Sequence, residues 1–139
     1  MARTILIDTG AVVAALIKRD EHHEWARSNF ESLSSPCLTC EAVLSESFFL
    51  LGRSPSGKKA FSALLERGIV TVDFSLRDQL GDTLHLIQQQ SGDTPMSFAD
   101  ACMVRMSELH QDSTVFTTDN DFKKYRRNGR QSIPLLAPW

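Results

Sequence analysis

The stretch Thr4-Ile5-Leu6-Ile7-Asp8-Thr9-Gly10 decides how the rest of the chain is read. A β-branched and apolar run, Thr4 to Ile7, predicts a short buried strand, and Ala11 to Lys18 beyond the acid and the glycine is helix-like. The chain therefore opens as strand, acidic turn, helix. The same alternation continues downstream. Helices are predicted over His22 to Leu33, Cys40 to Leu51, Lys58 to Arg67, Leu76 to Gln90 and Ser97 to Leu109 from apolar residues recurring at helical spacing. Short strand-like runs stand between them: Cys37-Leu38, Ile69 to Val72, Thr114 to Thr117, and Ile133 to Leu136 at an edge, where Pro134 is tolerated. Thr39 is a natural N-cap for the third helix, and Gly52 a natural C′ residue with positive φ. Ser54 to Gly57 reads as a turn, and Ser91 to Pro95 as a break.

Four or five short apolar strands separated by helices imply parallel crossovers and an α/β sheet covered on both faces. With 139 residues the chain fits one core of the usual ~100–200 residues, so residues 1–139 are expected to form a single domain. Fifteen basic residues against 17 acidic ones give a net charge of -2, which rules out a polyanion binder by global charge and leaves only local clustering. No apolar stretch approaches the ~20 residues that cross a bilayer, and the N-terminus lacks a leader pattern. Three cysteines, Cys37, Cys40 and Cys102, cannot all pair, which suits a reducing compartment; the expected location is cytoplasmic.

In open parallel sheets, ligands bind beyond the carboxyl ends of the strands. Asp8 follows the first strand, Asp119 follows the fourth, and Asp100 sits in the first turn of the helix leading into that fourth strand. Glu46 shares a helical face with Val43 and Leu50, so it is expected to point inward. Each acid also has a plain structural reading: Asp8 as a helix cap, Asp100 as a partner of the helix dipole, Asp119 and Asp121 as turn formers, Glu46 snorkelling or paired with an arginine. Converging carboxylates carry a different implication. Two unit charges ~4 Å apart repel by ~4 kcal/mol at an effective dielectric near 20, so several together need a cation. An all-oxygen set suits Mg2+ or Mn2+, which bind through a few carboxylates, waters and substrate phosphate oxygens, and this points to phosphodiester chemistry.

Four fragments in order, Ile5-Leu6-Ile7-Asp8-Thr9-Gly10, Val43-Leu44-Ser45-Glu46, Ser97-Phe98-Ala99-Asp100-Ala101 and Val115-Phe116-Thr117-Thr118-Asp119-Asn120-Asp121-Phe122, resemble the motifs of PIN-domain nucleases. The resemblance spans nearly the whole chain, and the compact size looks most like the VapC-type toxins of toxin–antitoxin pairs. It implies a three-layer α/β/α fold with a central parallel sheet, commonly a homodimer, and a Mg2+- or Mn2+-dependent site that hydrolyses RNA. Carried over by motif, Asp8, Glu46, Asp100 and Asp119 would be the catalytic quartet, with Asp8, Asp100 and Asp119 on the metal. Thr9 and Thr117 would orient carboxylates, and Asp121 would be a fifth acid nearby. A cognate antitoxin would be the protein partner, with Trp25 and Phe30 near its docking surface.

Lys123, Lys124, Tyr125, Arg126, Arg127 and Arg130 directly follow the acidic turn, and such a segment can hold phosphates flanking the scissile one while Tyr125 stacks on a base. A solvated loop is the alternative. The Cys37-x-x-Cys40 spacing lacks the second pair that a zinc site requires. Rival functions remain at this level: a housekeeping RNA-processing or DNA-directed nuclease of the same family, a receiver-type Mg2+-binding domain, a phosphatase of small esters, or a catalytically silent interaction domain. A receiver would need two acids after the first strand and a lysine after the last, and a silent domain would be expected to have lost an acid. Asp8 is single, and all four acids are present.

Overall fold

The computed structural model describes residues 3–90 and 92–139, so Met1, Ala2 and Ser91, the first residue of the predicted break, lie outside the described residues. The strands are β1 (Thr4–Ile7), β2 (Cys37–Thr39), β3 (Val70–Val72), β4 (Ser113–Phe116), β5 (Arg126–Arg127), β6 (Gln131–Ser132) and β7 (Leu135–Leu136). The helices are α1 (Thr9–Leu16), α2 (His23–Glu31), α3 (Glu41–Leu50), α4 (Pro55–Glu66), α5 (Leu76–Gln89) and α6 (Phe98–Leu109). Five strands form one parallel sheet in the order β3-β2-β1-β4-β7. A three-layer α/β/α architecture results, as the alternation of apolar strands and helices predicts.

Each central strand is buried on both faces, and its alternate residues feed two separate cores. Leu6 and Val115 point to the side covered by α5 and α6, packing with Met103, Val104 and Met106. Ile7 and Phe116 point to the side covered by α1, α2 and α4, packing with Ala11, Ala14, Ala26 and Phe61. Cys37 belongs to the second core and Cys40 to the first, so the sheet separates the Cys-x-x-Cys pair. Helix α3 straddles the two: Val43 enters one core and the following Leu51 the other. No described helix is long and apolar enough to cross a membrane.

Several local expectations are corrected. Thr39 is the last residue of β2, and its hydroxyl donates to the Ile7 carbonyl at 3.0 Å, so Cys40 takes the cap position of α3 instead. Ser54-Pro55 is a helix start: the Ser54 hydroxyl accepts from the Gly57 amide at 3.0 Å, with Pro55 at N1, where its missing N–H costs nothing. Gly52 does not adopt positive φ; Gly68 and Gly129 do, at 73° and 83°. Only Leu135–Leu136 of the predicted last strand pairs, beside β4. The antiparallel hairpin β5–β6 was not anticipated, although Asn128-Gly129, with φ of 53° and 83°, is a standard hairpin signal.

Helix α4 allows cap and core to be compared on one element. Phe61 is fully buried, with its ring 5.0 Å from that of Phe48. Phe61→Ala is expected to cost about 3–5 kcal/mol and Ser54→Ala about 1 kcal/mol in urea unfolding. Equal losses would contradict the assignment of Phe61 to the core.

Candidate active site

Parallel pairing brings the first acid to the last motif. Ile7 lies opposite Phe116, the Asp8 amide donates to the Phe116 carbonyl at 3.0 Å, and Asp8 and Thr117 therefore emerge side by side from adjacent strand ends. The Thr117 hydroxyl donates to Asp8 Oδ2 at 2.9 Å and accepts from the Asp119 amide, also at 2.9 Å. One hydroxyl thus aims the first carboxylate and shapes the loop that carries the next. Asp119 Oδ1 in turn accepts from the Asp121 amide at 2.9 Å, starting a 3-10 turn over Asn120–Lys123. Asp8 occupies the N-cap position of α1, and its carboxylate is turned toward the Thr117 hydroxyl.

Asp100 arrives from the opposite layer. Ser97 and Asp100 form a capping box at the start of α6: the Ser97 hydroxyl accepts from the Asp100 amide at 3.0 Å, and Asp100 Oδ2 accepts from the Ser97 amide at 3.4 Å. The same Oδ2 accepts from the Tyr125 hydroxyl at 2.8 Å. Glu46 stands on α3, where the Thr9 hydroxyl donates to its Oε1 at 2.9 Å. The residue is solvent-exposed, not inward as expected, because the buried face of this helix and its cap runs through Val43, Ser47 and Leu51 at intervals of four. Gly10 has a specific task here: a Cβ at this position would collide with the Thr118 hydroxyl, so glycine lets α1 approach the β4 loop.

Burial, the nearby Asp100 charge and a smaller effect of Asp119 push the Asp8 carboxyl from 3.8 up to about 7, against the Thr117 hydrogen bond. Burial likewise raises Asp100, opposed by Tyr125, with the Asp119 charge adding to the rise. Three carboxylates thus sense one another. No Lys or Arg among the described residues forms an ion pair with Asp8, Glu46, Asp100, Asp119 or Asp121. Nor do three His, Cys, Asp or Glu side chains among the described residues stand close enough to chelate a metal unaided. An uncompensated, all-oxygen set of this kind fits a hard divalent cation that retains several waters.

The basic segment divides. Lys123, Lys124, Arg126 and Arg130 are exposed, with Lys123 Nζ 4.4 Å from the Trp139 ring centre. Tyr125 is fully buried, edge-on to Phe122 at 5.1 Å, and its hydroxyl shares its one proton between Asp100 and the Pro95 carbonyl, so it is a support for Asp100 and not a base-stacking platform. Arg127 is buried as well, donating to the Ser107 carbonyl at 2.9 Å. Once the hairpin closes, alternation through the start of β5 turns Tyr125 and Arg127 in while Arg126 turns out. Trp25 packs edge-on to Phe116 at 5.5 Å beneath the site, whereas Phe30 lines an open groove with Leu16 and Leu64.

The Asp8 shift has a defined pH consequence. Its folded value lies above its unfolded one, so between about pH 4 and pH 7 the native state holds a proton that the unfolded chain has lost, and stability falls as pH rises through that window. Without divalent metal, Asp8→Asn is expected to melt above the unaltered protein at pH 7 to 8, with the two converging toward pH 4. Identical melting curves across that range would refute the carboxylate strain.

Known proteins bear on this arrangement. A crystal structure of VapC20 from Mycobacterium tuberculosis, described as a sarcin–ricin-loop-cleaving toxin, matches with a TM-score of 0.77 at 22% identity over 87% of this chain and 94% of that one. That likeness fixes the fold. No curated protein matches by sequence at a significant level. The family model described as PIN domain matches residues 5–128, a span that runs from β1 through all four acidic motifs to the basic hairpin, and the chain therefore belongs to the PIN-domain family.

Proposed function

We propose that this chain, as a single domain over residues 1–139, is a Mg2+- or Mn2+-dependent endoribonuclease and the toxin of a toxin–antitoxin pair. The observation that carries the reading is the cluster of Asp8, Asp100 and Asp119 at the carboxyl end of the sheet, the first two raised in proton affinity and none with a basic partner among the described residues. Asp8, Asp100 and Asp119 would hold the ion and Glu46 would act beside them. When bound, it supplies the Lewis acidity that makes water acidic near neutral pH and offsets charge on a phosphodiester. The chain's own residues do the positioning. Thr117 holds Asp8, Tyr125 and Ser97 hold Asp100, and Thr9 holds Glu46, so the carboxylates meet a substrate without reorganising. Exposed Lys123, Lys124, Arg126 and Arg130 supply the phosphate track.

The groove between α1, α2 and α4, about 340 Å3, supports an antitoxin partner. Ala15, Ala60 and Ala63 open it for an amphipathic segment packing on Leu16, Phe30 and Leu64. Helix α1 links this groove to the carboxylates: its seven steps run about 10 Å from Leu16 back to Thr9, so a segment continuing along α1 would present a basic side chain to them. Phe49 and Leu50, exposed at the end of α3, support a homodimer. The free thiols of Cys37, Cys40 and Cys102 accord with the cytoplasm.

Asp100→Asn and Asp119→Asn are each expected to reduce RNA cleavage by more than the ~10–100-fold typical of losing an outer-shell partner, with folding retained. Mg2+ or Mn2+ should raise the melting temperature, and EDTA should stop cleavage. Full activity in Asp100→Asn, or in EDTA, would overturn the reading. An arginine-bearing antitoxin segment is expected to inhibit in competition with metal, and Phe30→Asp to relieve that inhibition; inhibition indifferent to both would place the partner elsewhere.

A further inference from the structure

A second cavity lies between α5, α6 and the β5–β6 hairpin, with a volume of about 330 Å3. Its fixed frame is an ion network. Arg105 bridges Asp82 at 3.3 Å and Glu108 at 3.0 Å, and Glu108 Oε2 also accepts from the Asn128 amide at 2.7 Å, tying the hairpin to both helices. Both acids of the cavity are therefore engaged. Lys124 and Arg126 have no acidic partner among the described residues. Arg126 spends one terminal nitrogen on the carbonyls of Lys123 and Tyr125, at 2.8 and 2.9 Å, and keeps its other donors. Leu86 and Met96 supply an apolar wall, and His85 and Gln89 supply donors and acceptors beside it.

We propose that this cavity receives a single unstacked nucleotide of the RNA substrate, next to the scissile site. This rests on the ribonuclease reading. The chemistry is that of a nucleotide and not of a bare anion. An apolar wall with a polarisable thioether takes the face of a base, the amide and imidazole read its edge, and two cations take the adjoining phosphate. One guanidinium against two carboxylates leaves one negative charge, and Lys124 with Arg126 turns the lining to a net single positive charge, matched to one phosphodiester.

The cavity is also wired to the carboxylates. Tyr125, between Lys124 and Arg126 in sequence, reaches through the core to Asp100 at 2.8 Å, and Met96 of the cavity wall adjoins Ser97 of the Asp100 capping box. An RNA strand leaving the acidic site over Pro95 and Met96 meets this cavity next. Target choice would then depend on an unpaired base at a set distance from the cut.

The test follows the His85 ring resonance, assigned with His85→Gln, while the four nucleoside monophosphates, inorganic phosphate and the four nucleosides are titrated separately. RNA cleavage is measured in parallel. The expected result is that nucleotides shift His85 at lower concentration than phosphate or nucleosides do, and that Lys124→Ala weakens this about fivefold or more and raises KM for RNA with kcat retained. Phosphate acting as well as nucleotides would reduce the cavity to an anion site and overturn the proposal. So would a KM effect with His85 unmoved by nucleotides, which would assign Lys124 to the backbone track alone. Cleavage of RNA with neither effect overturns the proposal and leaves the ribonuclease reading intact, whereas nucleotide binding without cleavage of any RNA removes the ribonuclease reading and with it the assignment of the bound nucleotide to a substrate strand.

Discussion

The pairing of β1 with β4, with Ile7 opposite Phe116, is the constraint on which the site depends. These strands are separated by more than a hundred residues, yet their register sets Asp8 beside Thr117. A slip of one residue would turn Ile7 and Phe116 to the wrong core and take Asp8 from its hydroxyl partner. Register is specified strongly here because both faces of both strands are buried: Leu6 and Val115 belong to one core, Ile7 and Phe116 to the other. Hydrophobic sorting across the sheet thereby places a carboxylate.

That placement has an electrostatic cost, which is concentrated where chemistry is expected. Asp8 is nearly inaccessible, at 4% exposure, beside two further acids and without a basic neighbour among the described residues. Two hydroxyls, from Thr117 and Tyr125, hold Asp8 and Asp100 in place without neutralising them. A guanidinium in their position would relax the charge and remove the reason for a cation to bind. Arg105 and Arg127 are spent instead on locking α5, α6 and the hairpin together. The scaffold is stabilised by ion pairs and the site is left strained.

Tyr125 joins these two regions. It lies within a run of exposed basic residues, but its ring is fully buried against Phe122 and its hydroxyl ends on Asp100. The basic surface and the acidic pocket are therefore two ends of one packed unit, so a strand held on the hairpin is held at a defined distance from the carboxylates.

The α/β class, the identity of most elements and the ordered acidic motifs were legible in the amino-acid sequence by itself, because apolar periodicity and capping chemistry are local. Ile5 to Gly10 already contains strand, acid and helix start, and Ser97 to Asp100 already contains its capping box. The sequence also carried signals that local reading passed over, such as Asn128-Gly129 for the hairpin and Ser54-Pro55 for a helix start. Tertiary structure alone decided which way side chains in mixed segments face. Glu46 shares helical spacing with Val43 and Leu50, but packing selected Val43, Ser47 and Leu51 as the buried face, since only α1, α6 and the two cores determine what that helix covers. Tyr125 and Arg127 look like surface residues in a basic run, and only the closure of the hairpin onto α6 buried them. Periodicity is written within a few residues of chain, whereas burial is a property of whatever distant segment arrives to cover it.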